Sequence, residues 1–168
     1  MTVDTFVHLE VLSGFSFLWG AFSPEDLVDA AASMGQKAVA LTDYGLHGVI
    51  RFYKAALRKG IQPIVGAKLP VWDGSRLVFL ATDFKSYGNL CRLVSCVESL
   101  GALTRQNLSH YSKGLLTIAG SRDSVIHRSL KNGRLSQAEF CLNELRSILD
   151  NPEMIFLEKK KNGEDDDS

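Results

Sequence analysis

The chain has 168 residues, of which 45% are hydrophobic and 23% are charged, enough for one domain with a core and too few for two large domains. Nineteen basic residues balance nineteen acidic ones. This balance does not favour a protein whose main task is to grip phosphate backbones, since such proteins normally carry a basic excess. The spacing of the three cysteines is not that of metal ligands, so we expect them to be reduced thiols in the core: Cys91, Cys96 and Cys141. With no apolar run of about 18 residues and no basic leader, the sequence predicts a cytoplasmic protein without membrane contact.

Short β-branched runs alternate with amphipathic segments along the chain. The predicted strands cover residues 6–12, 37–41, 63–71, 76–81, 115–119 and 154–157. The predicted helices cover residues 24–34, 46–59, 86–99, 122–131 and 136–150, with a helical turn at 104–110. Alternation of this kind indicates an α/β fold, and about six strands suit an incomplete barrel. An open, doubly wound sheet would show the same periodicity, so both architectures remain open at this point.

Local signals refine several of these elements. Ser23 and Pro24 are typical of a helix start, and Asp73-Gly74 predicts a hairpin. A capping box at residues 136–139 predicts the start of the last helix. The first helix is expected to bury Leu27, Ala30, Ala31 and Met34. The second helix is expected to bury Val49, Ile50, Tyr53, Ala56 and Leu57. The domain is expected to span residues 1–158, and the polar residues 159–168 are expected to form a disordered tail.

Several stretches resemble a known family, the PHP domain. They are residues 6–13 and 15–21, residues 38–45 with Thr42-Asp43, and residues 61–68, which resemble three motifs of the family in order. Residues 77–95 closely resemble the C-family DNA polymerase III alpha subunits, and residues 15–18 favour their error-prone branch. The resemblance covers residues 5–158 and implies the N-terminal part of a distorted, TIM-like (β/α)7 barrel.

The resemblance also implies a metal cluster at the carboxyl ends of the barrel strands, where bound water would attack a phosphoester. His8 matches the first family histidine, Glu10 occupies the position of the second, and Asp43 matches the family aspartate. If these residues form a site, Zn or Mn is the expected metal.

Other positions of the sequence depart from the family pattern. Tyr44 stands where a histidine is expected, Trp19 where many relatives have an aspartate, and Lys68 where a glutamate is expected. An ammonium has no lone pair and repels cations, so the most consistent expectation is that no metal binds. We expect Lys68 to form a salt bridge with Glu10 or Asp43 instead.

Two functions follow as hypotheses. A third possibility is an unrelated α/β domain whose similarity to the family arose by chance. The first is a catalytically inactive PHP domain, either a fragment or a stand-alone remnant, that acts as a structural or protein-binding module in DNA replication or repair. Its partners would be polymerase or other replication and repair proteins, and it would touch DNA only within a larger assembly. The second is a metal-dependent phosphoesterase or 3′–5′ exonuclease. An incomplete barrel would also leave Phe6, Val7, Ile155 and Phe156 uncovered and available for self-association.

Overall fold

The computed structural model describes residues 6–149 and the backbone of residues 155–157. Five strands and six helices occupy this part of the chain. In chain order they are α1 (Pro24–Ser33), β1 (Ala38–Leu41), α2 (Val49–Lys59), β2 (Gln62–Pro70), β3 (Arg76–Ala81), α3 (Phe84–Leu100), α4 (Arg105–Tyr111), β4 (Leu115–Ala119), α5 (Val125–Lys131), α6 (Leu135–Ile148) and β5 (Ile155–Leu157). The predicted tail at residues 159–168 lies outside the described residues.

The strands form one mixed sheet in the order β1-β2-β3-β4-β5. β1 pairs with β2 and β4 with β5 in parallel, whereas β3 is antiparallel to both of its neighbours. The Asp73-Gly74 turn produces this reversal, because a tight hairpin can join only antiparallel strands. The α/β class is therefore confirmed. β1 and β5 do not pair, so the described part of the chain is an open sheet and not a closed barrel.

The predicted strand at residues 6–12 is wrong, and the part of the chain that the structure describes has five strands where about six were expected. This segment still runs beside β1: the Ala40 N–H donates to the carbonyl of His8 at 2.9 Å, and the Thr42 N–H to the carbonyl of Val11 at 2.8 Å. The two acceptors are three residues apart while the two donors are two apart. The extra residue breaks the regular ladder, as in a bulge.

Local sequence sets most of the helix ends. Ser23 caps α1 and forms a capping box with Asp26, and Gly60 ends α2 in the left-handed region at φ 68°. The expected capping box at residues 136–139 is wrong. α6 begins one residue earlier, after Arg134, whose side chain makes no capping hydrogen bond. The Arg134 N–H donates to the Ser129 carbonyl at 2.8 Å, so the tight turn out of α5 decides where α6 begins.

The buried faces of α1 and α2 differ from the expected ones. α1 buries Val28 and Ala31, while Met34 is 61% exposed. α2 buries Phe52 and Ala55 together with the expected Val49 and Ala56. It leaves Ile50, Tyr53 and Leu57 exposed, against expectation. Periodicity defines a stripe, but α2 is packed by α1 and the β1 edge of the sheet, which selects the side centred on Phe52.

All six helices pack on one face of the sheet. That face carries alternate strand residues, including Leu41, Ala67 and Phe79. The opposite face buries a small cluster of Ala40, Val78 and Leu80. Lys68 pairs directly with Val78 in the β2–β3 register, so its side chain belongs to this second face. None of the described helices is long and apolar enough to cross a membrane.

Phe52→Ala tests the observed face of α2. Phe52 is fully buried, so its truncation leaves a cavity and we expect the free energy of unfolding to fall by about 3 to 5 kcal/mol in urea denaturation. Leu57→Ala on the same helix is the control, because Leu57 is 57% exposed and its loss should change stability by less than about 0.5 kcal/mol. A greater fall in the free energy of unfolding for Leu57→Ala than for Phe52→Ala would contradict this orientation of α2.

Candidate functional site

Asp43 lies two residues after β1 and is almost fully buried. Its Oδ1 accepts a hydrogen bond from the Ser13 N–H at 2.7 Å and from the Ser16 hydroxyl at 2.6 Å. Its Oδ2 accepts one from the Ser13 hydroxyl at 2.6 Å. Each carboxylate oxygen therefore has at least one short donor. The carboxylate holds the loop after the N-terminal segment against the end of β1, which is a structural use of the residue.

Ser13 and Ser16 were not identified from the sequence as partners of the Asp43 carboxylate. The Ser16 hydroxyl also accepts the Tyr44 N–H at 3.2 Å, so it bridges two residues of the segment after β1. The signal available in the sequence was the position of both serines in the first family-like stretch. Spacing alone could not show that they donate to Asp43, which lies 30 residues from Ser13 and 27 residues from Ser16.

Lys68 lies between two carboxylates on the second face of the sheet. Its Nζ is 2.8 Å from Glu10 Oε1 and 3.5 Å from Asp123 Oδ2, and its side chain is only 8% exposed. Burial by itself would lower the pKa of Lys68. The hydrogen bond and charge of Glu10, the charge of Asp123 and a contribution from Tyr44 outweigh burial, and the pKa is raised above its ordinary value. The ammonium is held charged.

The expected salt bridge is confirmed for Glu10. The Asp43 side chain does not share it, although the Lys68 N–H donates to the Asp43 carbonyl at 3.0 Å. Asp123 was not identified from the sequence, yet it follows β4, which brings it to the Lys68 ammonium from another part of the chain. Glu10 Oε2 is buried and has no hydrogen-bond partner among the described residues. Only one of the two Glu10 carboxylate oxygens, Oε1, is thus paired with the Lys68 ammonium.

The other expected site residues lie in different surroundings. His8 is exposed and its ring packs edge-on against Phe6, with centroids 4.7 Å apart. Tyr44 is half-buried, with the Arg76 guanidinium 5.1 Å from its ring centroid and the Trp19 ring at 6.5 Å. Aromatic and cation–π contacts thus surround Tyr44, the position where the family pattern has a histidine.

The arrangement does not fit a metal centre. Among the described residues, no three His, Cys, Asp or Glu side chains are placed to hold a metal ion. Asp43 already accepts three short hydrogen bonds, and the Lys68 ammonium lies against Glu10, where its charge would repel a metal cation. A metal site made of His8, Glu10 and Asp43 therefore stays a prediction that this geometry does not favour.

An apolar loop lies beside these residues. In this aromatic loop, residues 14–22, Phe17 is 82% exposed, Leu18 87% and Trp19 67%. The loop is nevertheless well tied, since the Gly14 N–H donates to the Phe22 carbonyl at 2.7 Å. Leu18 adopts φ 67°, a conformation that costs a non-glycine residue about 1 kcal/mol. The fold therefore holds large apolar side chains in solvent on an ordered loop.

Lys68→Met tests the buried ion pair. The change leaves Glu10 and Asp123 without their cation, and we expect the free energy of unfolding at neutral pH to fall by about 3 kcal/mol. Because the folded-state pKa of Lys68 is raised, its contribution is complete below the unfolded pKa of about 10.4 and is lost as the pH rises through the folded value. The deficit of the variant should therefore shrink above about pH 10.4.

Lys59→Met is the matched control, since Lys59 pairs with Asp29 in an exposed salt bridge at 2.8 Å. Its loss should cost less than about 1 kcal/mol. Urea denaturation across pH measures both variants. Equal stability of Lys68→Met and the unchanged protein would contradict a structural role for the pair.

Comparison of the sequence with known proteins shows its family. The sequence model described as PHP domain matches residues 8–160. The chain is 39% identical over 158 residues to an error-prone DNA polymerase of Symbiobacterium thermophilum, covering 80% of this chain and 14% of that protein. It is 37% identical over 153 residues to the DNA polymerase III subunit alpha of Bacillus subtilis, covering 86% of this chain and 14% of that protein. The Escherichia coli subunit alpha is 32% identical over 180 residues, with coverages of 99% and 15%.

A solved structure shares the fold. It is a two-domain protein of Bacteroides vulgatus containing a predicted PHP-like metal-dependent phosphoesterase, with a TM-score of 0.51 and 15% identity, covering 82% of this chain and 48% of that one. This likeness concerns the fold alone. The chain spans about 14% of the length of the error-prone polymerase it matches. The family match extends over most of the sequence, and the chain belongs to the PHP domain family.

Proposed function

We propose that this chain is a non-catalytic PHP domain that acts as a structural and protein-binding module in a polymerase-related assembly of DNA replication or repair. The observation that carries the proposal is the buried Lys68 ammonium, 2.8 Å from Glu10, in a protein whose family resemblance predicts metal ligands there. A fixed cation of the protein supplies charge to the carboxylates but activates no water. Lys68 therefore supports a fold-maintaining use of the site.

The relatives support the setting of this proposal. They are DNA polymerase III alpha subunits and an error-prone polymerase, each several times longer than this chain. We propose that residues 1–158 correspond to the front part of a PHP-type (β/α)7 barrel. The open sheet is consistent with such a part, because β5 is the last strand of the described sheet and further structure could cover it, whereas the N-terminal segment already runs beside β1. Polymerase or repair proteins are the proposed partners, and DNA is approached only within the assembly.

The aromatic loop supports a role in protein contact. Exposing Phe17, Leu18 and Trp19 on an ordered loop, one of them in a strained backbone conformation, lowers the stability of the isolated domain. Exposed aromatic side chains of this kind are enriched in protein interfaces. The loop begins beside Ser13 and Ser16, so the Asp43 hydrogen bonds also hold the proposed contact surface in place.

The second candidate function is a metal-dependent phosphoesterase or 3′–5′ exonuclease. One observation favours it: Glu10 Oε2 is a buried carboxylate oxygen without a partner, and such an oxygen is a suitable ligand for a hard cation. His8, Glu10 and Asp43 would hold Zn or Mn, and the metal would supply a nucleophilic water. This use requires Lys68 and the two serines to release their present carboxylate partners.

Metal content and hydrolysis decide between the two functions. The protein is incubated with Zn²⁺ or Mn²⁺, desalted and analysed by mass spectrometry, and then assayed on a phosphate monoester and on 3′-labelled single-stranded DNA. We expect far less than stoichiometric metal, and hydrolysis equal to that of Asp43→Asn, because the carboxylates are already engaged.

Asp29→Asn is the control for loss of a carboxylate, since Asp29 lies in an exposed salt bridge away from these contacts. Stoichiometric metal, together with hydrolysis that is lost in Asp43→Asn and kept in Asp29→Asn, would overturn the non-catalytic proposal in favour of the second function.

A further inference from the structure

The helical layer leaves part of the sheet uncovered. α2 joins β1 to β2, and α3 follows β3, but the β2–β3 connection is a hairpin and contributes no helix. A groove of about 540 Å³ remains between α2 and α3. Its lining includes Val65 from β2 and Ala81 at the end of β3. The topology of the hairpin therefore explains why this apolar floor is open.

The walls of the groove carry exposed apolar side chains. On α2, Ile50 is 68% exposed and Tyr53 is 47% exposed, although periodicity had placed both in the core. On the other wall Phe84, the first residue of α3, is 90% exposed. A fully projecting phenylalanine thus lies directly beside a groove that is large enough to accept such a side chain. One surface contains both a projection and a cavity for it.

The polar residues of the groove have opposite charges on opposite walls. Lys54 lies on the α2 wall and Asp83, the N-cap of α3, on the α3 wall. Neither takes part in the ion pairs recorded among the described residues. A two-fold axis through the groove would bring the Lys54 of one copy opposite the Asp83 of the other, twice. Projection, cavity and charge would all be matched by the same operation.

We propose that this groove is a self-association surface, in which two copies of the chain pack about a two-fold axis. Phe84 of each copy enters the groove of the other against Ile50 and Tyr53, and Lys54 pairs with Asp83 of the second copy. The chain carries no net charge, so no long-range repulsion opposes the contact. The surface is distinct from the aromatic loop and from Phe6, and its use does not depend on the proposed function.

A groove of this size implies a small interface and a weak dimer, with a dissociation constant on the order of 10 µM. Sedimentation equilibrium of the whole chain, from low micromolar to several hundred micromolar, measures it. Phe84→Ser should raise the dissociation constant about tenfold or more, because it removes the aromatic anchor. Phe140→Ser is the matched control: Phe140 is 68% exposed on α6, outside the groove, and its loss should leave the constant unchanged.

A charge exchange tests the two-fold geometry. Lys54→Glu and Asp83→Lys each place like charges opposite one another in both halves of a homodimer, so each variant alone should be monomeric. Mixed together, the two variants place Glu against Lys and Asp against Lys, and they should form a heterodimer. Asp83→Lys removes the cap bond to the Ser86 N–H, so its fold is checked by thermal unfolding, and Asp83→Asn, which keeps a capping side chain, should weaken the homodimer less severely.

Monomeric behaviour of the unchanged protein at all concentrations would overturn the proposal and leave the groove for a different protein. A dimer that persists in Phe84→Ser but is lost in Phe140→Ser would place the interface elsewhere. If both variants are folded but the mixture of Lys54→Glu with Asp83→Lys forms no heterodimer, the two-fold arrangement is overturned.

Discussion

The ion cluster of Lys68 with Glu10 and Asp123 connects three segments that are far apart in the chain: the N-terminal segment, the C-terminal part of β2 and the turn after β4. The Lys68 ammonium is buried on the second face of the sheet, beside a small apolar cluster. Because water cannot solvate the charge there, carboxylates of the protein must compensate it. Removing one member would leave a buried charge unpaired, which costs more than the pair gains. The cluster thus ties the N-terminal segment to the sheet where regular strand pairing does not.

Asp43 complements this arrangement at the end of β1. The Asp43 carboxylate accepts hydrogen bonds from Ser13 and Ser16, which fixes the beginning of the aromatic loop. The backbone carbonyl of Asp43 accepts the Lys68 N–H. The two carboxylates that the family resemblance marks as ligands, Glu10 and Asp43, therefore both contact protein donors. Residues suited to catalysis also suit structural work, because a buried carboxylate attracts any strong donor, whether a metal, an ammonium or a hydroxyl. In this structure the Glu10 carboxylate contacts an ammonium, and the Asp43 carboxylate contacts two hydroxyls.

The hairpin between β2 and β3 has consequences at both surfaces of the molecule. It reverses the chain, makes the sheet mixed, and brings Val78 beside Lys68 on one face. On the other face it removes the crossover helix that would have covered Val65 and Ala81. The exposed side chains of α2 are explained by the same feature. With no helix between α2 and α3, only the side of α2 turned towards α1 and β1 is buried.

The sequence by itself determined the α/β class, the hairpin at Asp73-Gly74, the start of α1 and the end of α2. It also predicted a salt bridge of Lys68 with Glu10 or Asp43, and the structure shows the one with Glu10. Turn and cap signals are local, and a family pattern aligns distant positions even when their chemistry has changed. Only the tertiary structure decided which side of α2 is buried, that residues 6–12 pair irregularly with β1, and that Asp123 joins Lys68. Periodicity gives an apolar stripe without saying what packs on it, and ladder register depends on the partner strand. Asp123 could not be found because no local signal between positions 68 and 123 shows that β3 is antiparallel to both β2 and β4, which places the carboxyl ends of β2 and β4 at the same end of the sheet.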